Sequence, residues 1–366
     1  MTARPLILLT AGGTGGHVFP AEALATELTR RGLKLAFVTD KRGAAYGGFL
    51  GELDTYRISG GGIAGKSPVK RLQSMGSLAA GYFQARRLIR RLKPAAVIGF
   101  GGYASVPAVM AASHLGVPSA VHEQNAVLGR ANRMLAGGVS RIATSFEQVG
   151  RVAPAWHGKI RRTGNPVRPA ILALRDQPYP APDRALTLLV TGGSQGAKIF
   201  SDLVPEALIR LPEALQRRLS VHQQCRAEDI DRVTQLYKDH GVTADLQPFF
   251  HDVPARLAAA HLVICRSGAS TVGELAVAGR PAVLVPYPHA IDDHQTANAR
   301  AFAHRGAGWV MPQSDLSPEK LAGHLEKLLT DPAGLAEAAR HARAEGAPEA
   351  AERLADLMND LAEGRA

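Results

Sequence analysis

Cysteine is scarce in this sequence: Cys225 and Cys265 are the only two among 366 residues. That excludes a disulfide framework and points to a reducing compartment. Cys265 closes the apolar run Leu262-Val263-Ile264 and is expected to be a buried small hydrophobe. Aromatic residues make up 5% of the chain, few for a protein that stacks nucleic-acid bases, so nucleic acid is not expected as a partner. No uncharged apolar run reaches the roughly 18 residues that span a bilayer. Met1-Thr2-Ala3-Arg4-Pro5 leads straight into a strand pattern, so no secretory leader is expected.

Acidic residues are missing from one long interval. None occurs between Asp54 and Glu123, where Arg57, Lys66, Lys70, Arg71, Arg86, Arg87, Arg90, Arg91 and Lys93 all stand. The formal charge of +11 is therefore lopsided. Residues 1–165 hold 22 basic and 7 acidic side chains, and the remainder 21 and 25. Such a patch suits nucleic acid, an anionic substrate or an anionic membrane surface. Leu72, Met75, Leu78, Tyr82 and Phe83 lie beside it at helical spacing and favour the membrane. The plainer alternative is a solvated helix face above a core stripe.

Glycine, by contrast, is plentiful, with 38 residues, and it recurs in one pattern. Leu6-Ile7-Leu8-Leu9-Thr10 runs into Ala11-Gly12-Gly13-Thr14-Gly15-Gly16-His17. Leu186-Thr187-Leu188-Leu189-Val190-Thr191 runs into Gly192-Gly193-Ser194-Gln195-Gly196-Ala197. Each is a strand, a Gly-Gly-polar-X-Gly loop and then a helical pattern. Such a loop aims backbone N–H groups and a positive helix end at an anion, usually phosphate. The spacing is not that of the dinucleotide fingerprint Gly-X-Gly-X-X-Gly.

Strand and helix patterns alternate throughout. Strands are expected at 6–10, 34–39, 96–99, 118–121 and 141–144, then at 186–191, 219–224, 262–265 and 282–285. Helices are expected at 20–31, 76–92, 105–115 and 129–136, then at 197–210, 228–240, 254–260, 271–278 and 292–305. This alternation predicts an α/β fold of two doubly wound parallel sheets. The Gly- and Pro-rich stretch from Thr163 to Pro182 reads as a linker, and a charged amphipathic helix pattern follows Gly346. The predicted domains are 1–164, 165–345 and a C-terminal helix at 346–366 that packs back on the first.

Several polar strings follow the strands, where open α/β sheets bind ligands. His17 is placed on the turn before its helix, as a capping group or as one that orients or deprotonates a hydroxyl. Gly99-Phe100-Gly101-Gly102-Tyr103-Ala104-Ser105 closes the basic interval and suits an anionic acceptor. In His122-Glu123-Gln124-Asn125, Glu123 is a candidate base and Asn125 a candidate sugar ligand. Ser267-Gly268-Ala269-Ser270-Thr271 offers N–H groups and hydroxyls at a helix N-terminus. Glu274, one turn further, either accepts ribose hydroxyls or complements the helix dipole. Gln295 and Asn298 share a helical face that could meet sugar hydroxyls. A metal site from His289, Asp292, Asp293 and His294 is conceivable but has no recognised spacing behind it.

Seven strings in order, GGTGGHVFP, GGYAS, HEQNAVLG, GNPVR, TGGSQGA, CRSGASTVGE and DDHQTANA, resemble the MurG family across about residues 5–335. That family comprises the undecaprenyl-linked N-acetylglucosaminyltransferases of peptidoglycan synthesis. The resemblance implies a GT-B fold, two Rossmann-like domains with the active site between them. It implies inverting transfer of N-acetylglucosamine from UDP-N-acetylglucosamine to the muramyl 4-hydroxyl of lipid I, giving lipid II. It further implies that Thr14, Gly15 and Gly16 line the donor's sugar or pyrophosphate side, that Asn125 contacts the N-acetylglucosamine and that Arg168 and Ser194 contact the donor. Phe250 stands where uracil is held through backbone atoms. Ala269, Ser270, Thr271, Val272, Gly273 and Glu274 form the nucleotide turn, and Gln295 and Asn298 match sugar contacts. Two positions depart from the family pattern: Gly273 replaces a common serine, and the loop Pro288–Gln295 is one residue longer.

His17 is the first candidate base and Glu123 the second. UDP-N-acetylglucosamine is a substrate, and no cofactor or metal is expected. The expected partners are lipid I, an anionic membrane surface, and cell-wall synthesis and division proteins. The expected location is peripheral, on the cytoplasmic face of the inner membrane. Rival readings are another UDP-sugar enzyme of the same fold acting on a different lipid, a UDP-sugar 2-epimerase, and a non-catalytic UDP-sugar-binding subunit. The GGYAS and HEQN strings argue against the first two, and intact His17 and Glu123 against the third.

Overall fold

The computed structural model describes residues 4–12, 15–40, 49–61, 68–182, 185–193 and 196–365; of residues 68–71 only the backbone is described. The chain forms two compact units, Met1–Arg168 with Ala347–Ala366, and Pro169–Gly346.

The first unit is built on a seven-stranded parallel sheet. Its strands are β1 (Leu6–Thr10), β2 (Lys34–Thr39), β3 (Asp54–Arg57), β4 (Ala96–Gly99), β5 (Ser119–Glu123), β6 (Arg141–Thr144) and β7 (Ile160–Arg162). They lie in the order β3-β2-β1-β4-β5-β6-β7. Helices α1 (Gly15–Arg30), α2 (Pro68–Leu92), α3 (Ser105–His114) and α4 (Arg130–Leu135) connect them. Because helices cover both faces, the central strands read as continuous apolar runs rather than alternating ones. Side-chain alternation along β1 sends Ile7 and Leu9 to a layer with Leu24 and Leu28 of α1. Leu8 goes to the opposite layer, with Val109 of α3 and Ile89 of α2.

The second unit repeats the plan after a short helix α5 (Pro169–Leu172). Six parallel strands, β8 (Leu186–Thr191), β9 (Leu219–Gln224), β10 (Thr243–Gln247), β11 (Leu262–Cys265), β12 (Ala282–Leu284) and β13 (Gly308–Val310), lie in the order β10-β9-β8-β11-β12-β13. Between them run α6 (Lys198–Leu208), α7 (Glu213–Gln216), α8 (Ile230–Asp239), α9 (Val253–Ala259), α10 (Ala269–Ala278) and α11 (His294–His304). Helices α12 (Pro318–Leu329) and α13 (Pro332–Glu345) complete the unit. Leu188, Val190, Phe200, Val204 and Leu325 form the heart of its core. The last helix, α14 (Ala350–Ala362), belongs to the first unit, where Leu354 and Met358 join the layer of Leu24 and Leu28. Both sheets are Rossmann-like and together make a GT-B fold.

In each sheet the winding reverses beside the first strand, between β1 and β4 and between β8 and β11. Connections leave such a pair in opposite directions, which opens a crevice at the carboxyl ends of the strands. Both glycine-rich loops therefore arise at switch points. The sequence pattern missed the short strands β3, β7, β10 and β13. Three of these, β3, β7 and β10, are polar and poorly buried, and the fourth has only three residues.

Candidate functional site

In the first unit, glycines bring the two switch-point loops into contact. A Cβ on Gly12 would lie 2.3 Å from Ala104 Cβ. Gly102, at φ +71°, faces the Gly12 carbonyl, and Gly101, at φ +93°, lies against the His17 ring. Neither position tolerates a side chain, in space or in backbone conformation. Ser105 fastens the pair, its Oγ donating to the carbonyls of Thr10 at 3.0 Å and Gly101 at 2.7 Å. The GGYAS string is thus the wall against which His17 stands.

His17 does not sit on a turn before the helix, as its spacing predicts. Helix α1 begins at Gly15, so Gly15, Gly16 and His17 form its first turn. Pro20 falls at the sixth helical position, where its missing N–H withdraws the i+4 partner of the Gly16 carbonyl. Thr14 lies outside the described residues. The Nδ1 atom of His17 lies 3.1 Å from Oε1 of Gln124, at the end of β5. Arg168 stacks over the ring of Phe19 on the same helix, its Cζ 4.8 Å from the ring centroid.

Glu123 turns out differently from the second base of the sequence reading. Its Oε1 accepts from the Asn125 N–H at 3.0 Å and Asn125 Nδ2 at 3.1 Å. Its Oε2 accepts from the Gly129 N–H and Asn132 Nδ2, both at 2.8 Å. An ionised carboxylate offers about four lone-pair sites, and these donors occupy them. Glu123 is a clamp on the loop between β5 and α4, and it holds Asn125 in place.

The polar string hides two further residues whose roles the sequence did not reveal. His122 is fully buried, and burial pushes its pKa down to about 4. Its Nε2 lies 2.9 Å from the Gly164 carbonyl. Gln124, also buried, reaches both His122 and His17. Their signal was a run of polar residues closing a buried strand, a pattern with no solvent to explain it.

The second unit holds its glycine loop in a comparable way. A Cβ on Gly192 would meet the Ala197 nitrogen at 2.3 Å, and Gly193 and Gly196 take φ of +78° and +65°. Gln224, closing β9, accepts from the Gly192 N–H at 3.0 Å and donates to the Gly193 carbonyl at 3.0 Å. Ser194 lies outside the described residues.

Beside it, α10 begins after Gly268, whose extended backbone provides the N-cap without any side-chain hydrogen bond. The start of a helix, with its positive dipole end, suits an anionic ligand. Ser270 Oγ is buried and has no partner among the described residues. Ala269 and Val272 face the core, while Thr271, Gly273 and Glu274 are half-buried. The turn rests on α11: Ser267 Oγ donates to the Gln295 carbonyl at 2.8 Å, and Asn298 Nδ2 donates to the Ser267 carbonyl at 3.0 Å. Asn298 is fully buried, so it supports the turn from below rather than presenting itself to a sugar. Gln295 is half-buried, and its Oε1 accepts from the Tyr287 N–H at 2.9 Å.

Phe250 is buried under Arg256, whose Cζ lies 4.0 Å from the ring centroid. Arg256 is in turn held by Asp245 at 2.6 Å and Asp252 at 2.7 Å. The ring is thereby fixed, and only its backbone remains for a ligand. No group of three or more His, Cys, Asp or Glu side chains suited to a metal occurs among the described residues, so His289, Asp292, Asp293 and His294 do not converge.

On α2 the structure separates surface from core. Leu72, Met75 and Phe83 are 72%, 57% and 67% exposed. Leu78 and Tyr82 are half-buried. Arg87, Arg90, Arg91 and Lys93 are exposed at the C-terminal end. Lys66 lies outside the described residues, as do the side chains of Lys70 and Arg71. No helix among the described residues is long and apolar enough to cross a membrane.

Comparison with known proteins agrees with this layout. The glycosyltransferase family 28 N-terminal domain matches residues 7–144, and the glycosyltransferase family 28 C-terminal domain matches residues 187–354. A protein of Paramagnetospirillum magneticum is 58% identical over 362 residues, covering 98% of both chains. It is named UDP-N-acetylglucosamine--N-acetylmuramyl-(pentapeptide) pyrophosphoryl-undecaprenol N-acetylglucosamine transferase. A protein of the same name from Rhodospirillum rubrum is 58% identical over 361 residues, 98% of this chain and 92% of that one. The crystal structure of Acinetobacter baumannii MurG superposes with a TM-score of 0.76 at 33% identity, covering 97% of this chain and 100% of that one.

Proposed function

The chain belongs to glycosyltransferase family 28, and on that premise we propose how its two units divide one reaction between them. The enzyme moves N-acetylglucosamine from UDP-N-acetylglucosamine to the muramyl 4-hydroxyl of lipid I, giving lipid II and UDP. The observation that carries this is 58% identity over 98% of both chains to an enzyme named for that transfer.

The donor belongs to the second unit. The pyrophosphate lies against the Gly192–Gly196 loop, with Ser194, and against the first turn of α10 with Ser270 and Thr271. Glu274 takes the ribose hydroxyls, the backbone at Phe250 takes the uracil, and Gln295 contacts the sugar. Asn298 acts through the Ser267 turn. Arg168, the last residue of the first unit before α5, is proposed as a further donor contact. His17, in the first unit, meets the acceptor hydroxyl, and Thr14, Gly15, Gly16 and Asn125 are proposed as contacts of the donor's sugar.

The step is a displacement at the anomeric carbon. The muramyl oxygen forms its bond to C1 as the C1–O bond to the β-phosphate breaks, and UDP departs with that electron pair. The configuration inverts. Negative charge grows on the β-phosphate, where the positive end of α10 stabilises it without reorganising. The hydroxyl proton passes to Nε2 of His17, which then releases it to solvent. UDP-N-acetylglucosamine is consumed as a substrate, and this step calls on no further cofactor.

Lipid I is held in a bilayer, so the enzyme works at its surface. The exposed Leu72, Met75 and Phe83 with the arginines of α2 form the docking face, on the cytoplasmic side of the inner membrane. Cell-wall synthesis and division proteins are the further partners this location suggests.

Purified enzyme given UDP-N-acetylglucosamine should release UDP only when a lipid I analogue is added. Equal release without acceptor would reject the transfer. His17→Ala should lower kcat by about 10²-fold or more, the usual contribution of a general base, with donor KM little changed. Wild-type turnover would remove His17 from that role.

A further inference from the structure

We propose that Gln124 is a positioning residue which, with His122, fixes His17 as its Nδ1–H tautomer and so keeps the Nε2 lone pair available to the acceptor hydroxyl. The inference deepens the assignment of His17 as base and rests on it.

The order of hydrogen bonds can be followed from one end. The Gly164 carbonyl can only accept, and His122 Nε2 lies 2.9 Å from it, so that nitrogen carries a proton. Full burial holds His122 neutral at physiological pH, with a pKa of about 4. A neutral imidazole protonated on Nε2 has a bare Nδ1. One end of the Gln124 amide faces that bare Nδ1 at 3.0 Å, the Phe100 carbonyl at 3.0 Å and the His122 carbonyl at 3.1 Å. All three are acceptors, so that end is the NH₂ group, and the network settles the orientation of the amide. The opposite end is Oε1, an acceptor only. It meets His17 Nδ1 at 3.1 Å, so Nδ1 donates. In neutral His17 the remaining nitrogen, Nε2, then bears the lone pair. It has no hydrogen-bond partner among the described residues.

The far end of this relay explains the GNPVR string. Gly164 has φ +89°, and a Cβ there would lie 2.5 Å from Ala347 Cβ and 3.0 Å from Ala350 Cβ. Glycine is required both by conformation and by the close approach of the segment that opens α14. The carbonyl that sets the relay is therefore held by the fold itself. After proton transfer His17 is doubly protonated, and its Nδ1–H still donates to Gln124, so no link needs to turn over during the reaction.

The test is ¹⁵N NMR of the full-length protein labelled on histidine, with the His17 signals assigned by their loss in His17→Ala. Wild-type His17 at neutral pH should show a protonated Nδ1 and a bare Nε2. Gln124→Met keeps the side-chain length and removes both hydrogen-bonding ends. It should convert His17 to a mixture of tautomers and lower kcat about tenfold or more, with donor KM unchanged. Three results overturn the relay: wild-type His17 protonated on Nε2, Gln124→Met with wild-type kcat, or reduced kcat with the wild-type tautomer retained. The first is read on the wild-type protein and needs His17→Ala only for assignment. Should His17→Ala retain full turnover, the base assignment fails, and the tautomer spectrum still judges the relay by itself.

Discussion

Arg31, just past the end of α1, and Asp356 on α14 form an ion pair at 2.5 Å although they lie 325 positions apart in sequence. The Asp356 side chain is 66% exposed, so the pair is worth about 0–1 kcal/mol. Beneath it, Leu354, Met358 and Leu361 are buried with Leu24 and Leu28. Loss of a buried methionine side chain costs about 2–5 kcal/mol. Packing rather than charge therefore secures the last helix. Asp356→Ala is expected to lower stability by no more than about 1 kcal/mol, and Met358→Ala by several times as much. Urea denaturation followed by circular dichroism measures both, and equal losses would contradict the ranking.

Ser270 places a buried hydroxyl with no partner among the described residues at the start of α10. An unsatisfied polar group of this kind is destabilising unless a ligand completes it. Ser270→Ala should therefore keep or raise the melting temperature without donor. It should also weaken UDP-N-acetylglucosamine binding about 2- to 10-fold, the equivalent of one neutral hydrogen bond. Calorimetric titration and thermal melting on the same samples decide it. A variant that melts lower and binds normally would make Ser270 purely structural.

Glu274 stands one turn further along α10, half-buried. A carboxylate accepting ribose hydroxyls contributes more than a neutral group, about 1.5–3 kcal/mol. Glu274→Ala should raise donor KM by about 10-fold or more and leave acceptor KM unchanged. Unchanged donor binding by calorimetry would return this residue to the role of a helix-dipole partner.

The central strands were legible because parallel strands covered on both faces are unbroken apolar runs, as in Leu262–Cys265. Edge strands lack that burial, so Asp54–Arg57 and Thr243–Gln247 left no apolar signal. The helical pattern is expected to begin at residue 20. The structure starts α1 at Gly15 instead. The candidate residues of the site were legible as polar strings after strands, but their division of labour was not. Nothing in the order His-Glu-Gln-Asn says that four donors converge on Glu123, or that Gln124 faces three acceptors at one end. Those facts depend on Phe100, Gly129, Asn132 and Gly164, which only the folded sheet brings together.

The face of α2 makes a prediction about salt. Exposed arginines near an anionic leaflet are worth about 1 kcal/mol each, and this attraction weakens as the Debye length falls to about 3 Å at 1 M salt. The apolar contribution of Leu72, Met75 and Phe83 is not screened. Changing Arg86, Arg87, Arg90 and Arg91 together to Glu should abolish binding to anionic vesicles at low salt and spare donor binding. Changing Leu72, Met75 and Phe83 together to Ser should leave binding that vanishes at 1 M salt. Co-sedimentation at two salt concentrations reads both effects. Wild-type sedimentation by the arginine variant would place the docking face elsewhere.

His122 predicts how stability depends on acid. Its ordinary pKa is about 6.5, and in the folded protein burial lowers it to about 4, with Phe100 and the titratable His17 as neighbours. Above the unfolded value both states are neutral, and the residue imposes no penalty. Between the two values the unfolded chain binds a proton that the native state refuses. Stability therefore falls as the pH drops from about 6.5, and the loss is complete near 4. One pKa unit corresponds to about 1.4 kcal/mol, so the full loss approaches about 3 kcal/mol. Carboxylates also titrate in this range, so the informative quantity is a difference between proteins. His122→Phe keeps a ring beside Phe100, removes the titration, and costs stability at every pH because the Gly164 carbonyl loses one of its two donors and the Gln124 amide one of its acceptors. Between pH 7 and pH 4 the wild type should lose about 3 kcal/mol more than this variant, as measured by urea midpoints and slopes. Parallel pH profiles for the two proteins would mean that His122 is not held neutral by the fold, and the inferred direction of the whole relay would fall with it.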